Sequence, residues 1–187
     1  MGLVRVEQLE QEYDVEVEWK GFEIHPELPP GGIPSERLQG EYFRQAAENV
    51  RWLAAEAGVV MCSPSILANT HLALEAAEFA RERGVFTVLH RRLFEAYFHD
   101  GVNIGDPEAL VKLAEEAGLD GEELRRALTE RRYRAQLEEV TREARELGID
   151  GTPTFIIGNL GVVGAQPYEV LRRAAIEAGA RPRLPEE

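Results

Sequence analysis

Hydrophobic and polar positions at the start of the chain follow helical spacing first and strand spacing afterwards. In residues 3–13 the apolar side chains fall on one face of a helix, although no N-cap residue precedes it. In residues 15–24 apolar and acidic or basic residues alternate, with the apolar stripe shifted at Gly21. This pattern predicts a helix followed by a half-buried strand with a kink or bulge at the glycine.

Helical periodicity fills the middle of the chain. Ser35, Asn69 and Asp106 are residue types that cap helix N-termini, and Pro107 suits the first helical position after its cap. The predicted helices cover residues 35–58, 69–83, 86–99, 106–118 and, as one or two helices, 122–147.

The pattern returns to strands near the end of the chain. Residues 154–157 and 160–163 are short apolar runs on either side of a Gly-Asn turn, which is typical of a hairpin. A last helix over residues 168–178 precedes a tail that we expect to be frayed. Strands at both ends of the chain must pair across the helical block, so we predict one α/β domain with a helical insertion. Residues 1–62 and 149–187 would form the α/β part and residues 63–148 the insertion.

Composition narrows the range of partners and locations. The formal net charge of −13 repels phosphate backbones and anionic lipid surfaces, so we expect neither nucleic acid nor a membrane as a partner. The start of the chain lacks the apolar core of a signal peptide, and no apolar run is long enough to span a bilayer. A cytoplasmic location is therefore the default expectation.

Four sequence blocks, in order along the chain, resemble the DsbA-like family of thioredoxin-fold oxidoreductases. GIDGTPTFII at residues 148–157 looks like that family's cis-proline loop and following strand, and GAQP at residues 164–167 like the entry to its last helix. VEWKGFEIHP at residues 17–26, and LFEAYF with NIGD at residues 93–106, resemble its FrnE-type branch. The resemblance implies a thioredoxin-like fold with an all-helical insertion. It also implies thiol–disulfide exchange, with disulfide isomerase-like chemistry, on a protein or small-thiol substrate.

Two further functions follow from the wider family. Its kappa-class glutathione transferases and 2-hydroxychromene-2-carboxylate isomerases imply a glutathione-dependent transfer or isomerisation. Unless that alternative holds and the protein binds glutathione, we expect no cofactor. A non-catalytic peptide-binding or chaperone-like module is the other alternative.

The family's redox motif is the main departure from the resemblance. In relatives a first strand ends in Cys-x-x-Cys at the N-terminus of the helix that here covers residues 3–13, and this sequence begins just after that motif. The motif lies upstream of Met1, or the sequence is a truncated piece, or the protein is a natural variant without the redox centre. The first two are favoured, because a buried central strand is hard to lose at the marginal stability of proteins. As given, we expect the chain to be weak or inactive in disulfide exchange. An apolar slot should remain beside residues 154–157, which a partner chain or segments exchanged within a homo-oligomer would fill.

The candidate site residues are few, and no catalytic residue is assigned. The resemblance implies that Thr152 and Pro153 bind substrate, with a cis bond between them, whereas an X-Pro bond taken alone is usually trans. Cys62, the single cysteine, is a weaker thiol candidate, since no resolving cysteine accompanies it. The kappa-class relatives imply that Asn69 lines the ligand cleft, and asparagine is also a residue type that caps helix N-termini. The four histidines lack metal-ligand spacing, so we expect no metal site.

Overall fold

Within the residues that the structure describes, the fold consists of eight α-helices and three short antiparallel strand pairs. The computed structural model describes residues 1–38 and 40–183, without the side chains of residues 42 and 43. The helices are α1 (Gly2–Glu12), α2 (Glu41–Glu56), α3 (His71–Glu82), α4 (Phe86–Phe98), α5 (Pro107–Glu116), α6 (Gly121–Thr129), α7 (Arg134–Glu146) and α8 (Tyr168–Glu177). The strand pairs are β1 (Tyr13–Asp14) with β6 (Arg181–Pro182), β2 (Ile33–Pro34) with β3 (Ile66–Leu67), and β4 (Thr154–Ile157) with β5 (Leu160–Val163).

The helices α3 to α6 enclose the largest core. Phe79, Leu89, Leu110 and Leu124, one from each helix, are completely buried at its centre. Local capping signals fix two of these helices. The side chain of Asp106 accepts a hydrogen bond from the N–H of Glu108, and Pro107 takes the first helical position, as the sequence predicts. Asp120 caps α6 in the same way, through the N–H of Glu123.

Smaller cores form where α1, α8 and the β4–β5 hairpin meet. Leu9 and Tyr13 pack against Ala175, while Val162 packs against Leu171 and Ala174. In the β4–β5 hairpin, Phe155 pairs with Val162 on the face toward this core, and Ile156 pairs with Gly161 on the outward face. The hairpin predicted around the Gly-Asn turn is therefore confirmed, and its inward face positions the preceding proline loop.

Residues 15–24 do not form the predicted strand. The alternation survives as far as Trp19, because residues 15, 17 and 19 are partly buried and residues 16, 18 and 20 are exposed. Among the described residues no strand pairs with this segment, and the carbonyl of Trp19 accepts instead from the guanidinium of Arg81. Further on, Glu23 is 8% exposed and Ile24 is 42% exposed, the reverse of the expected stripe. Gly21 marks a close approach, since a Cβ there would lie 2.9 Å from Leu137.

Two predicted helix starts are also corrected. A 3₁₀ turn (Ser35–Arg37) precedes α2, which begins at Glu41, and the Ser35 hydroxyl donates to the carbonyl of Pro64 rather than capping the helix. The α3 helix begins at His71, and the side chain of Asn69 accepts from the His71 N–H just before it. Residue 39 of the predicted helix and residues 184–187 of the predicted tail lie outside the described residues.

The domain boundaries stay a prediction. The large core draws its buried residues from positions 68–133, while the smaller cores draw theirs from both ends of the chain.

The outward face of the β4–β5 hairpin is open. Ile156 and Val163 are 59% and 62% exposed, and with Leu147 they border a hollow of about 280 Å³. Whether another copy of the chain covers this face also stays a prediction.

Candidate functional site

The N-terminus of α1 lies directly against the proline loop. A Cβ atom built on Gly2, the first residue of α1, would be 3.3 Å from both Cβ and Cγ of Pro153 and 3.5 Å from the ring of Phe155. The peptide bond between Thr152 and Pro153 is cis. Glycine at the start of α1 thus allows the helix to approach the loop closely.

Hydrogen bonds on both sides hold the proline loop in place. The carbonyl of Pro153 accepts from the N–H of Gly164 at 2.8 Å, which ties the loop to the end of β5. The hydroxyl of Thr154 donates to the carbonyl of Gly151 at 2.8 Å. By contrast, neither the N–H nor the carbonyl of the exposed Thr152 has a hydrogen-bond partner in residues 1–38 and 40–183. A fixed loop therefore presents one free backbone pair to the solvent.

The electrostatics beside the loop favour negative charge. No acidic residue lies in the first turn of α1, and no side chain caps its N-terminus. The unpaired N–H groups and the helix dipole are therefore uncompensated there. Burial, followed by the nearby charge of Arg5, lowers the pKa of the Met1 amino group. A thiolate or carboxylate at this position would be stabilised.

Cys62 lies elsewhere. Its N–H donates to the carbonyl of Phe98 at 2.6 Å, and its Sγ is 3.9 Å from the carbonyl oxygen of Tyr97. These contacts seat the partly buried thiol at the C-terminal end of α4. In the part of the chain that the structure describes, no hydrogen bond of Cys62 reaches α1 or the proline loop.

Asn69 lines a separate cleft, between residues 23–30, the start of α3 and helix α7. Its amide group is fully engaged, since Nδ2 donates to the carbonyl of Leu28 at 2.7 Å and Oδ1 accepts from the N–H of His71. The described residues around this cleft do not include Thr152 or Pro153. The structure therefore does not bring Asn69 together with the proline loop.

A polar network at the floor of this cleft escaped the sequence analysis. Nδ1 of His71 lies 2.7 Å from a carboxylate oxygen of Glu23, and Nε2 lies 3.3 Å from Glu75, without hydrogen-bond geometry. Glu75 is completely buried and accepts from Nε of Arg131 at 2.7 Å. The one feature of the sequence that indicates this network is the pair of polar residues, His71 and Glu75, on the buried face of a helix.

Neither a metal cluster nor a spanning helix is found in the described part of the chain. Residues 1–38 and 40–183 contain no group of three or more His, Cys, Asp or Glu side chains arranged to hold a metal ion. None of the helices in the same ranges is both long and apolar enough to cross a membrane.

Comparison with known proteins agrees with this fold. The uncharacterized protein YwbO of Bacillus subtilis is 34% identical over 177 residues, which is 93% of this chain and 88% of that protein. The crystal structure of a probable DsbA oxidoreductase from Streptomyces coelicolor superposes with a TM-score of 0.83 at 29% identity, covering 100% of this chain and 87% of that one. The model of the DSBA-like thioredoxin domain matches residues 1–175. The chain therefore belongs to the DsbA-like family of thioredoxin-fold proteins, whose family-level chemistry is thiol–disulfide exchange.

Proposed function

We propose that this protein takes part in thiol–disulfide exchange at the junction of α1 and the proline loop. The observation that carries the proposal is the contact between Gly2 and Pro153, where an uncapped helix N-terminus faces a loop with a free backbone pair. The helix N-terminus would stabilise an attacking thiolate. Thr152 would pair with an extended substrate segment in the manner of an added strand.

The chemistry requires a thiol at α1. The thiolate attacks one sulfur of a substrate disulfide, a new S–S bond forms, and the other sulfur leaves as a thiolate. The one cysteine of the 187 residues, Cys62, has its contacts at the end of α4. A test on this chain must therefore supply the thiol.

The variant Gly2→Cys supplies it. We expect Cys at position 2, with Met1 retained as verified by mass, to exchange with glutathione disulfide at pH 7 at least about tenfold faster than Cys62 in the unsubstituted chain. The rate of mixed-disulfide formation at each cysteine is measured by mass spectrometry after proteolysis. Gly2→Ser controls for folding, because it adds a side chain of similar size without a thiol. Equal or slower exchange at position 2 in a folded variant contradicts the proposal.

Substrate docking is tested in the Gly2→Cys variant. A mixed disulfide between the new cysteine and an extended cysteine-containing peptide should form in lower yield when Thr152→Pro removes the free N–H. Pro64→Ala, a change in a loop outside the site, should leave the yield unchanged. Glutathione as a bound cofactor stays a prediction, which calorimetric titration of the unsubstituted chain with reduced glutathione tests.

A further inference from the structure

The cleft beside α7 has the volume of a small-molecule site. It encloses about 680 Å³, within the range of roughly 300–1,000 Å³ that ligand sites occupy. Residues 23–30 form one wall, α7 forms the opposite wall, and the start of α3 forms the floor. Four arginines and three glutamates line it, a cationic excess in a chain whose net charge is −13.

Arg131, which lines this cleft, has a strained backbone conformation. It is the one non-glycine residue with positive φ, at 52°, among residues 1–38 and 40–183. Its Nε donates to the buried carboxylate of Glu75, which also accepts from the backbone N–H of Tyr133. Strained residues held by buried partners concentrate at functional sites.

The guanidinium ends of the arginines are available to a ligand. Arg131 and Arg134 each use Nε, toward Glu75 and Glu138 respectively, and their terminal nitrogens have no partner in the described part of the chain. Arg145 has no carboxylate within 4 Å in those same residues, and it lies 6.0 Å from the ring centre of Phe22. Free guanidinium forks match the paired oxygens of carboxylate and phosphate groups.

The opposite wall is apolar apart from Glu23, whose carboxylate is paired with His71. Pro26, Leu28 and Pro30 line it, and Leu72 adds a further aliphatic surface beside His71. A ligand held here therefore meets mainly hydrocarbon on this side. On the other side it meets the arginines, of which Arg134 and Arg142 are paired with Glu138 and Glu146. This combination fits a small organic molecule with a carbon skeleton and charged ends better than a single inorganic ion.

We propose that this cleft binds a small organic anion carrying at least two carboxylate or phosphate groups, held by Arg131, Arg134 and Arg145. The site is distinct from the junction of α1 and the proline loop, and its existence does not depend on thiol–disulfide exchange. Binding at Arg131 would link the turn between α6 and α7 to α3 through Glu75, because the same carboxylate accepts from Arg131 and lies 3.3 Å from Nε2 of His71.

Calorimetry of the full chain tests the proposal with two probes, citrate for carboxylates and pyrophosphate for phosphates, at constant ionic strength. We expect at least one of them to bind with a dissociation constant below about 1 mM. Arg134→Gln combined with Arg145→Gln should weaken that binding at least about tenfold, since two charge-assisted contacts are removed. The probe that binds shows whether the cleft prefers carboxylate or phosphate groups.

The matched control combines Arg126→Gln with Arg173→Gln, two exposed arginines outside the cleft that give the same change in net charge. Its affinity should stay within about twofold of the unsubstituted chain. Circular dichroism and thermal unfolding establish that both double variants are folded. Absence of binding by both probes, or equal weakening in the two double variants, overturns the proposal.

Discussion

Arg5 of α1 donates a hydrogen bond from Nη1 to the carbonyl oxygen of Ala165 at 2.6 Å, although 160 residues separate them. The side chain is nearly buried, and Nη2 lies 3.6 Å from a carboxylate oxygen of Glu56. This contact joins the helix at the proline loop to the segment that leads into α8. It accounts for a buried charge on a face that the sequence pattern assigns to apolar residues.

Replacing Arg5 by leucine should destabilise the fold. The carbonyl of Ala165 would lose a charged donor, so we expect the free energy of unfolding to fall by about 2 kcal/mol. Urea unfolding followed by circular dichroism measures the change. Arg173→Leu, on the exposed face of α8, is the control and should change stability by no more than about 0.5 kcal/mol. Equal effects of the two substitutions would show that the Arg5 contact is not stabilising.

Glu75 should be among the most sensitive polar positions. Glu75→Ala leaves Arg131 and the N–H of Tyr133 without their acceptor, and we expect a loss of about 3 kcal/mol in unfolding free energy. Glu138→Ala breaks the exposed pair with Arg134, which solvent screens, and should cost much less stability than Glu75→Ala. Chemical denaturation measures the unfolding free energy of both variants. A Glu75 variant as stable as the Glu138 variant would contradict the importance of the buried network.

His90 should make stability depend on pH. Trp19, Phe86 and Phe94 surround its ring at centroid distances of 4.8, 4.8 and 4.9 Å. Burial, and after it the charge of Arg81, lower the pKa of His90 to about 4 from 6.5. The folded state therefore disfavours the protonated ring. The stability associated with neutral His90 is fully present above pH 6.5 and is lost as the pH falls toward 4.

The variant His90→Phe removes this titration. Between pH 7.5 and 4, its unfolding free energy should fall by about 3 kcal/mol less than that of the unsubstituted chain. Trp52→Phe, at an exposed aromatic residue of α2 that carries no titratable group, is the control and should keep the original pH dependence. Urea unfolding across that pH range gives both curves. Parallel curves for His90→Phe and the unsubstituted chain would refute the effect.

Cys62 should not support turnover by itself. The dithiothreitol-driven reduction of insulin by these 187 residues should proceed at the uncatalysed rate, because no second cysteine is present to resolve a mixed disulfide. Turbidity of the precipitating insulin chains measures the rate, and Cys62→Ala should give the same trace. A rate above background that disappears in Cys62→Ala would instead identify Cys62 as a catalytic thiol.

Local sequence signals determined where most of the helices lie, the cap of α5 and the hairpin. Asp106 with Pro107 fixes the start of α5, and the Gly-Asn turn fixes the register of β4 and β5, since each of these features depends on neighbours along the chain. The four sequence blocks that resemble the DsbA-like family predicted the overall fold, because they are spread over most of the chain.

Tertiary structure alone decided the rest. The predicted strand at residues 15–24 needed a partner ladder that the described residues do not provide, so Glu23 turned inward to His71 and Ile24 outward. The contact of Gly2 with Pro153, and the cleft where Arg131 meets Glu75, join positions far apart in the chain. Periodicity reports which face of an element is buried. It does not report which distant side chain lies opposite, because packing of whole elements fixes that choice.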